Sequence, residues 1–271
     1  VDELHHRLIH IGLDALAEDY GYALAGGYAI QTHHIVQRIS DDVDLFAPFE
    51  RAKEEMPDAA ARVIAAYEAA GYRVELAQQV DTYTRLNITD PDTGTFSKVE
   101  LVAEFLHHPP VDSDLGPVLH PDDLAAGKTG ALFSRAEVRD AIDIDGLLKA
   151  GYSTDRLMEL AAQNDLGFDR RMFADSLARV QRYSDKQFAA YSLDANEAAA
   201  IRQRFAEWHR QLTHPEATAD GTAARPAAPN RSTLAVGRNT ATEPASQPPD
   251  EQQTPLVHND NPDHGRNPQG R

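Results

Sequence analysis

Apolar residues along this chain switch between helical spacing and strand alternation, and the order of the switches predicts its elements. From Leu4 to Glu18, the residues Leu4, Leu8, Ile9, Ile11, Leu13, Leu16 and Ala17 recur near the helical period, predicting an amphipathic helix. Tyr20–Leu24 reads as a short apolar strand that runs into Gly26-Gly27 and a helix over Tyr28–Val36. Arg38–Phe46 reads as a strand, with Val43, Leu45 and Phe46 as its apolar side. A helix over Ala52–Ala70 carries an inner stripe of Ala60, Val63, Ile64, Tyr67 and Ala70, and Gly71 closes it. Three strand-like runs follow, Tyr72–Leu76, Thr82–Ile88 and Phe96–Phe105. The turn sequence Asp90-Pro91-Asp92-Thr93-Gly94 joins the last two as an antiparallel hairpin.

His107-His108-Pro109-Pro110 breaks the sheet, and a loop leads into a helical half. Pro121 opens a helix with Asp122 and Asp123 in its first turn, where the helix dipole favours acids. Ser134-Arg135-Ala136-Glu137 has the form of a capping box, so a second helix is expected from there to Lys149, stopped by Gly151. Helices over Thr154–Asn164, Asp169–Tyr183 and Asn196–Leu212 carry apolar stripes that suit a bundle. From Thr213 the periodicity stops and Pro, Thr, Ala, Asn and Gln dominate, which predicts a disordered tail. The expected division is a sheet-bearing core over residues 1–112, a helical domain over 113–212 and the tail over 213–271.

Composition narrows the chemistry. The 271 residues can bury a core without covalent staples, and the absence of cysteine excludes disulfides and thiolate zinc sites. No run of about 18 apolar residues occurs, and the N-terminus is charged, so a soluble, cytoplasmic protein with no membrane partner is expected. The formal charge of −17 argues against an overall nucleic-acid-binding surface, although arginines and lysines gathered at one cleft can coexist with an acidic exterior.

The candidate chemistry centres on Asp42 and Asp44. Two residues apart on a strand, they point to one face and can converge on a divalent cation. Lys98, Glu100 and Val102 alternate on a strand expected nearby, which makes Glu100 a third acid; Asp41 is expected to point the other way. Gly26 and Gly27, between strand and helix, suit phosphate binding through backbone N–H groups, with Arg38 and Ser40 beside them. In the helical half, steps of seven, four and four place Lys128, Arg135, Arg139 and Asp143 on one face, with Asp140 beside them. Ordinary readings compete with each: a solvated Asp-rich strand end, a surface helix laced with ion pairs, and, for His6 and His10, solvated histidines. Gly127-Lys128-Thr129 is not a P-loop, because Asp122 stands where that motif needs glycine and no strand precedes it.

Taken together, Gly26-Gly27, then Arg38-x-Ser40-x-Asp42-x-Asp44-Leu45, then Lys128 followed by Arg135, Arg139-Asp140 and Asp143, resemble the AbiEii-type nucleotidyltransferase toxins, a branch of the polymerase-beta-like superfamily that includes the MenT toxins. The likeness covers about residues 1–210 and implies an α+β fold, a small mixed β-sheet with a C-terminal helical bundle. It further implies transfer of a nucleotide from an NTP to an acceptor, the tRNA 3′ end, with a cognate antitoxin as partner. Asp42 and Asp44 would take the metal-ligand roles, for Mg²⁺ or Mn²⁺, with Glu100 joining them on the strand argument. Lys128 would be the phosphate-binding lysine and Asp143 the essential acid of the helical block. Gly26, Gly27, Arg38, Ser40, Arg135 and Arg139 would contact the nucleotide. Two other readings stay open: transfer to a small, antibiotic-like molecule, and an inactive scaffold that binds protein. A basic cleft of Arg135, Arg139, Arg170, Arg171, Arg179 and Arg182 would favour RNA, an acidic one a cationic acceptor.

Overall fold

The first helix, α1 (Glu3–Tyr20), starts where the Asp2 carboxylate accepts the Leu4 and His5 N–H groups and ends at Gly21 in the left-handed region. A computed structural model describes residues 2–214; the predicted tail lies outside them except for Thr213 and His214, and Thr213 still belongs to the last helix. After α1 come β1 (Ala23–Leu24), α2 (Gly26–Thr32), β2 (Asp42–Pro48) and α3 (Phe49–Ala69). β3 (Arg73–Val80), β4 (Tyr83–Thr89) and β5 (Phe96–Glu104) follow, then a small hairpin of β6 (Val111–Ser113) and β7 (Gly116–Val118).

These strands form one seven-stranded mixed sheet in the order β3-β4-β5-β2-β1-β7-β6. The predicted β4–β5 hairpin is antiparallel, while β5 returns parallel to β2 after α3 and the hairpin. On β2 the alternation is strict: Val43, Leu45 and Ala47 are buried, and Asp42, Asp44 and Phe46 share the other face. Phe46 therefore does not join the buried side as its apolarity led us to expect; parity decides its direction.

Several boundaries move. α2 ends at Thr32 rather than Val36, because the chain turns through His34 at φ 56. β2 begins at Asp42 rather than Arg38, and β3 runs on to Val80.

The helical half comprises α4 (Pro121–Ser134), α5 (Val138–Lys149), α6 (Thr154–Asn164), α7 (Arg170–Val180), α8 (Asp185–Ala189) and α9 (Ala195–Thr213). The expected capping box at Ser134 is corrected: α4 continues through Ser134, and the break falls at Arg135–Glu137 with Ala136 at φ 51. Asp140 makes this break, its carboxylate accepting the Glu137 N–H at 2.9 Å and both arms of the Arg135 guanidinium. The bundle closes on Phe173, Phe205 and Trp208, with Phe173 and Trp208 meeting edge to face. α5 also packs tightly on the segment after α2, since a Cβ at Gly146 would lie 2.1 Å from Val36. That contact and the ion pairs below fix the helices against the sheet.

Candidate active site

Between the sheet and α4–α5 lies a cavity of about 410 Å³. Its floor follows from strand register: Asp42 pairs with Lys98 and Asp44 with Glu100 across the parallel β2–β5 ladder. The carboxylates of Asp42, Asp44 and Glu100 consequently converge, each offering an oxygen within 4.8 Å of the others. Burial, with Asp42 next in importance and Glu100 adding to it against the opposing charge of Lys128, pushes the Asp44 carboxyl up to about 7. Crowded acids of this kind are a donor set that a hard divalent cation would relieve. Arg85 holds one Glu100 oxygen at 2.9 Å and lies over the Tyr83 ring.

The double glycine presses the start of α2 against these acids. Gly26 has φ +60, and a Cβ there would stand 1.7 Å from Asp44 Oδ2; one at Gly27 would stand 2.3 Å from Ser40 Oγ. Only glycine allows the backbone to approach so closely. Ser40 is itself buried beside the turn.

On the opposite wall, Lys128 reaches in from α4 and is anchored from behind. Its Nζ lies 2.8 Å from Asp143 Oδ2, while Arg38 grips the same carboxylate with Nε at 2.6 Å and Nη2 at 2.7 Å. Burial alone would raise the Asp143 carboxyl, but the charges of Lys128 and Arg38 outweigh it and hold that group below the usual carboxylate range. Two cations on one fully buried anion leave a net positive charge directed at the cavity. Asp143 thus does not share the cleft-facing surface expected for it; the break after Ser134 interrupts the helical register and leaves it behind Lys128.

Arg135, held by Asp140, and Arg139, paired with Glu137 at 3.0 Å, do line the cavity, as do Gly26, Gly27, Arg38 and Ser40. Asp41 lines it too, correcting the expectation that it points away: it precedes β2, so strand parity does not apply to it. The proposed six-arginine cleft divides. Arg179 and Arg182 line a separate groove with Phe133 and Ser134, Arg170 pairs with Asp155 at 3.1 Å, and neither Arg170 nor Arg171 lines the cavity.

Sequence reasoning missed Arg85, Glu104 and Asp123 as lining residues. Arg85 faces Glu100 across the β4–β5 ladder, so the hairpin register could have supplied it. Asp123 is occupied, accepting the N–H groups of His107 and His108 and a ring nitrogen of His108. A second group of possible ligands, His108, His120 and Asp122, is also engaged: His120 Nδ1 caps α4, and Asp122 accepts from Tyr152 and Arg156 at 2.7 Å each. His6 and His10 stay on the exposed side of α1, in contact with each other at 3.3 Å. Among the described residues no helix is long and apolar enough to cross a membrane.

The sequence profile described as the nucleotidyl transferase AbiEii toxin of type IV toxin–antitoxin systems matches residues 10–228. Among solved structures, the chain is similar to MenT4, a nucleotidyltransferase toxin of Mycobacterium tuberculosis H37Rv, with 17% identity, 79% of this chain and 83% of that chain covered, and a TM-score of 0.48. It is similar to JHP933 of Helicobacter pylori at 16% identity, covering 80% of this chain and 94% of that one at a TM-score of 0.45. A nucleotidyltransferase structure from H. pylori, so titled as a presumed one, is similar at 17% identity, with 80% and 99% covered and a TM-score of 0.46. No curated protein sequence matches the chain. The structural likenesses are distant and carry no argument; the profile, spanning most of the chain and the whole cleft, shows that the chain belongs to the AbiEii family of nucleotidyltransferase toxins.

Proposed function

We propose that this chain transfers a nucleotide from an NTP to the 3′ hydroxyl of a tRNA, in a metal-dependent reaction at the cleft, and is restrained in the cell by a cognate antitoxin. One observation carries the reading: three converging carboxylates, Asp42, Asp44 and Glu100, face an anchored cation, Lys128, across a glycine turn. Mg²⁺ or Mn²⁺ held by Asp42, Asp44 and Glu100 would neutralise triphosphate charge and favour attack at the α-phosphorus.

The chain's own groups divide the remaining work. Gly27 N–H and the Ser40 hydroxyl bind phosphate oxygens, and Lys128 neutralises charge on the departing diphosphate. Asp143 and Arg38 position Lys128. Glu100, oriented by Arg85, directs the acceptor hydroxyl and takes its proton as the new O–P bond forms; the α–β phosphoanhydride bond breaks and diphosphate leaves. Arg135 and Arg139 meet the anionic acceptor at the mouth.

Local charge removes the objection that the overall acidity raises against RNA. Six acids (Asp41, Asp42, Asp44, Glu100, Glu104, Asp123) and six bases (Arg38, Arg85, Lys98, Lys128, Arg135, Arg139) line the cavity, so it escapes the overall −17. The test is to incubate the purified protein with each labelled NTP and total tRNA in Mg²⁺. Label on the tRNA 3′ end, absent with Asp44→Ala and with chelator, is expected. Equal labelling by wild type and Asp44→Ala would end the proposal.

A further inference from the structure

His5, on α1, is only 9% exposed and has no part in the proposed reaction. Both of its ring nitrogens are occupied. Nδ1 meets the Tyr28 hydroxyl in a short contact, and Nε2 lies 2.7 Å from Ser97 Oγ. Tyr28 and Ser97 are buried as well. One imidazole thereby joins α1 to α2, at the residue after Gly27, and to β5, at the residue before Lys98. His5, Tyr28 and Ser97 do not line the cavity, but Gly27, Ser40 and Lys98 beside them do.

Tyr28 carries this connection to the phosphate side. Its hydroxyl lies 3.4 Å from the Ser40 carbonyl, and Ser40 belongs to a stretch before β2 that is neither helix nor strand, so no ladder holds it. The fit leaves no slack, because a Cβ on Gly27 would stand 2.3 Å from Ser40 Oγ. Counting donors gives the relay a direction. Burial, against the pull of Asp2, Asp42 and Asp41, holds the ring below the ordinary histidine value, so at pH 7 it has one donor and one acceptor nitrogen. With the proton on Nδ1, Ser97 donates to Nε2, Nδ1–H donates to Tyr28, and Tyr28 donates to the Ser40 carbonyl. With the proton on Nε2, Tyr28 donates to Nδ1 instead and the Ser40 carbonyl loses that donor. Ser97 then turns to the Lys98 carbonyl at 3.4 Å, on a strand already paired along both edges. The first arrangement serves every buried group.

We propose that His5 is a positioning residue for the triphosphate, a reading that rests on the cleft being an NTP site. As the Nδ1–H tautomer it directs the Tyr28 hydroxyl to Ser40 and holds Ser40 against Gly27, where both meet phosphate. His5 touches neither nucleotide nor metal; it acts through Tyr28.

The experiment measures equilibrium binding of α,β-methylene analogues of the four NTPs, with Mg²⁺, to the full chain, beside a melting curve for each variant. His5→Leu and Tyr28→Phe should each weaken the analogue that wild type binds by about three- to tenfold, the net worth of one hydrogen bond. Combined, they should lose no more than either alone, because both cut one relay. His5→Asn, which matches leucine in volume but offers an amide near the place of Nδ1, should restore most of the affinity. Nitrogen-15 NMR of the His5 ring, assigned by difference from His5→Asn, should show the Nδ1–H tautomer at pH 7. Tyr28→Phe keeps the ring and its packing, so it carries the binding test if His5→Leu does not fold. Wild-type affinity in Tyr28→Phe, additive losses, no rescue by asparagine or the Nε2–H tautomer would each overturn the positioning role and leave the NTP site standing. No analogue bound by wild type, or wild-type affinity in Lys128→Ala, would overturn the NTP site itself and this inference with it.

Discussion

Asp143 does not itself line the cleft, yet the charge of the site depends on it through Lys128 and Arg38. Replacing it with asparagine leaves Lys128 and Arg38 buried without their anion, a loss that costs about 3–5 kcal/mol. Asp143→Asn should therefore lower stability in urea more than Lys128→Met, which leaves the Asp143–Arg38 pair in place. The pH dependence has a definite sign. A carboxyl held below its unfolded value contributes stability above the ordinary carboxylate range and loses it as pH falls through the depressed value, so wild type should lose this contribution in acid and Asp143→Asn should not. Asp44 behaves in the opposite way. Its carboxyl is raised to about 7, so without metal its contribution is fully present in acid and is lost as pH climbs toward and past 7. Asp44→Asn should stabilise the metal-free protein at pH 8 by about 1–2 kcal/mol, less than the full shift implies because the carboxylate borders an open cleft. Thermal melts with and without Mg²⁺ check both parts: the variant should melt higher without metal and gain little from adding it.

At the scale of elements, the turn at Gly26 and the break at Ala136 set the geometry. Gly26→Ala would combine a left-handed φ with a Cβ 1.7 Å from Asp44 Oδ2, so either the turn or the carboxylate must move. NTP affinity should fall at least tenfold, with a smaller loss of thermal stability than a core truncation produces, read by nucleotide titration beside a melting curve. This turn was legible in the sequence only in combination: a glycine pair alone is mostly just a turn, and it gained meaning because strand parity aligns Asp42 with Asp44 next to it. Glu100 followed by the same parity on β5, and the register places it opposite Asp44. Parity misled only where it was not applied or did not hold, at Phe46, which was assigned by apolarity, and at Asp41, which lies before the strand begins. The α4–α5 break was misplaced because Arg135 and Asp140 make it through a contact five residues apart, with Ala136 in a conformation its side chain disfavours. β6 and β7 have three residues each, too few to show an alternation, and the Lys128–Asp143–Arg38 cluster joins residues 105 positions apart that no local pattern links.

For the molecule as a whole, the formal charge of −17 opposes a polyanionic acceptor, so the proposed RNA acceptor would have to be held by few and local contacts. Arg135 and Arg139 line the cavity, while Arg179 and Arg182 line the neighbouring groove with Ser134, the last residue of α4 before Arg135. Among the described residues no carboxylate forms an ion pair with Arg179 or Arg182, which leaves both able to meet phosphate. Four phosphate contacts to a single-stranded 3′ end give a slope of about −3 in log K against log salt, at about 0.7 per contact. Fluorescence anisotropy with a labelled tRNA 3′ fragment, at fixed Mg²⁺ and stepped KCl, measures it. Arg179→Ala with Arg182→Ala should halve the slope to about −1.4 and leave NTP affinity unchanged, because neither residue touches the cavity. A slope near zero in wild type would show that RNA is not held by these arginines. A slope unchanged in the double variant would place the acceptor elsewhere, on Arg135 and Arg139 alone or on a face outside both cavities.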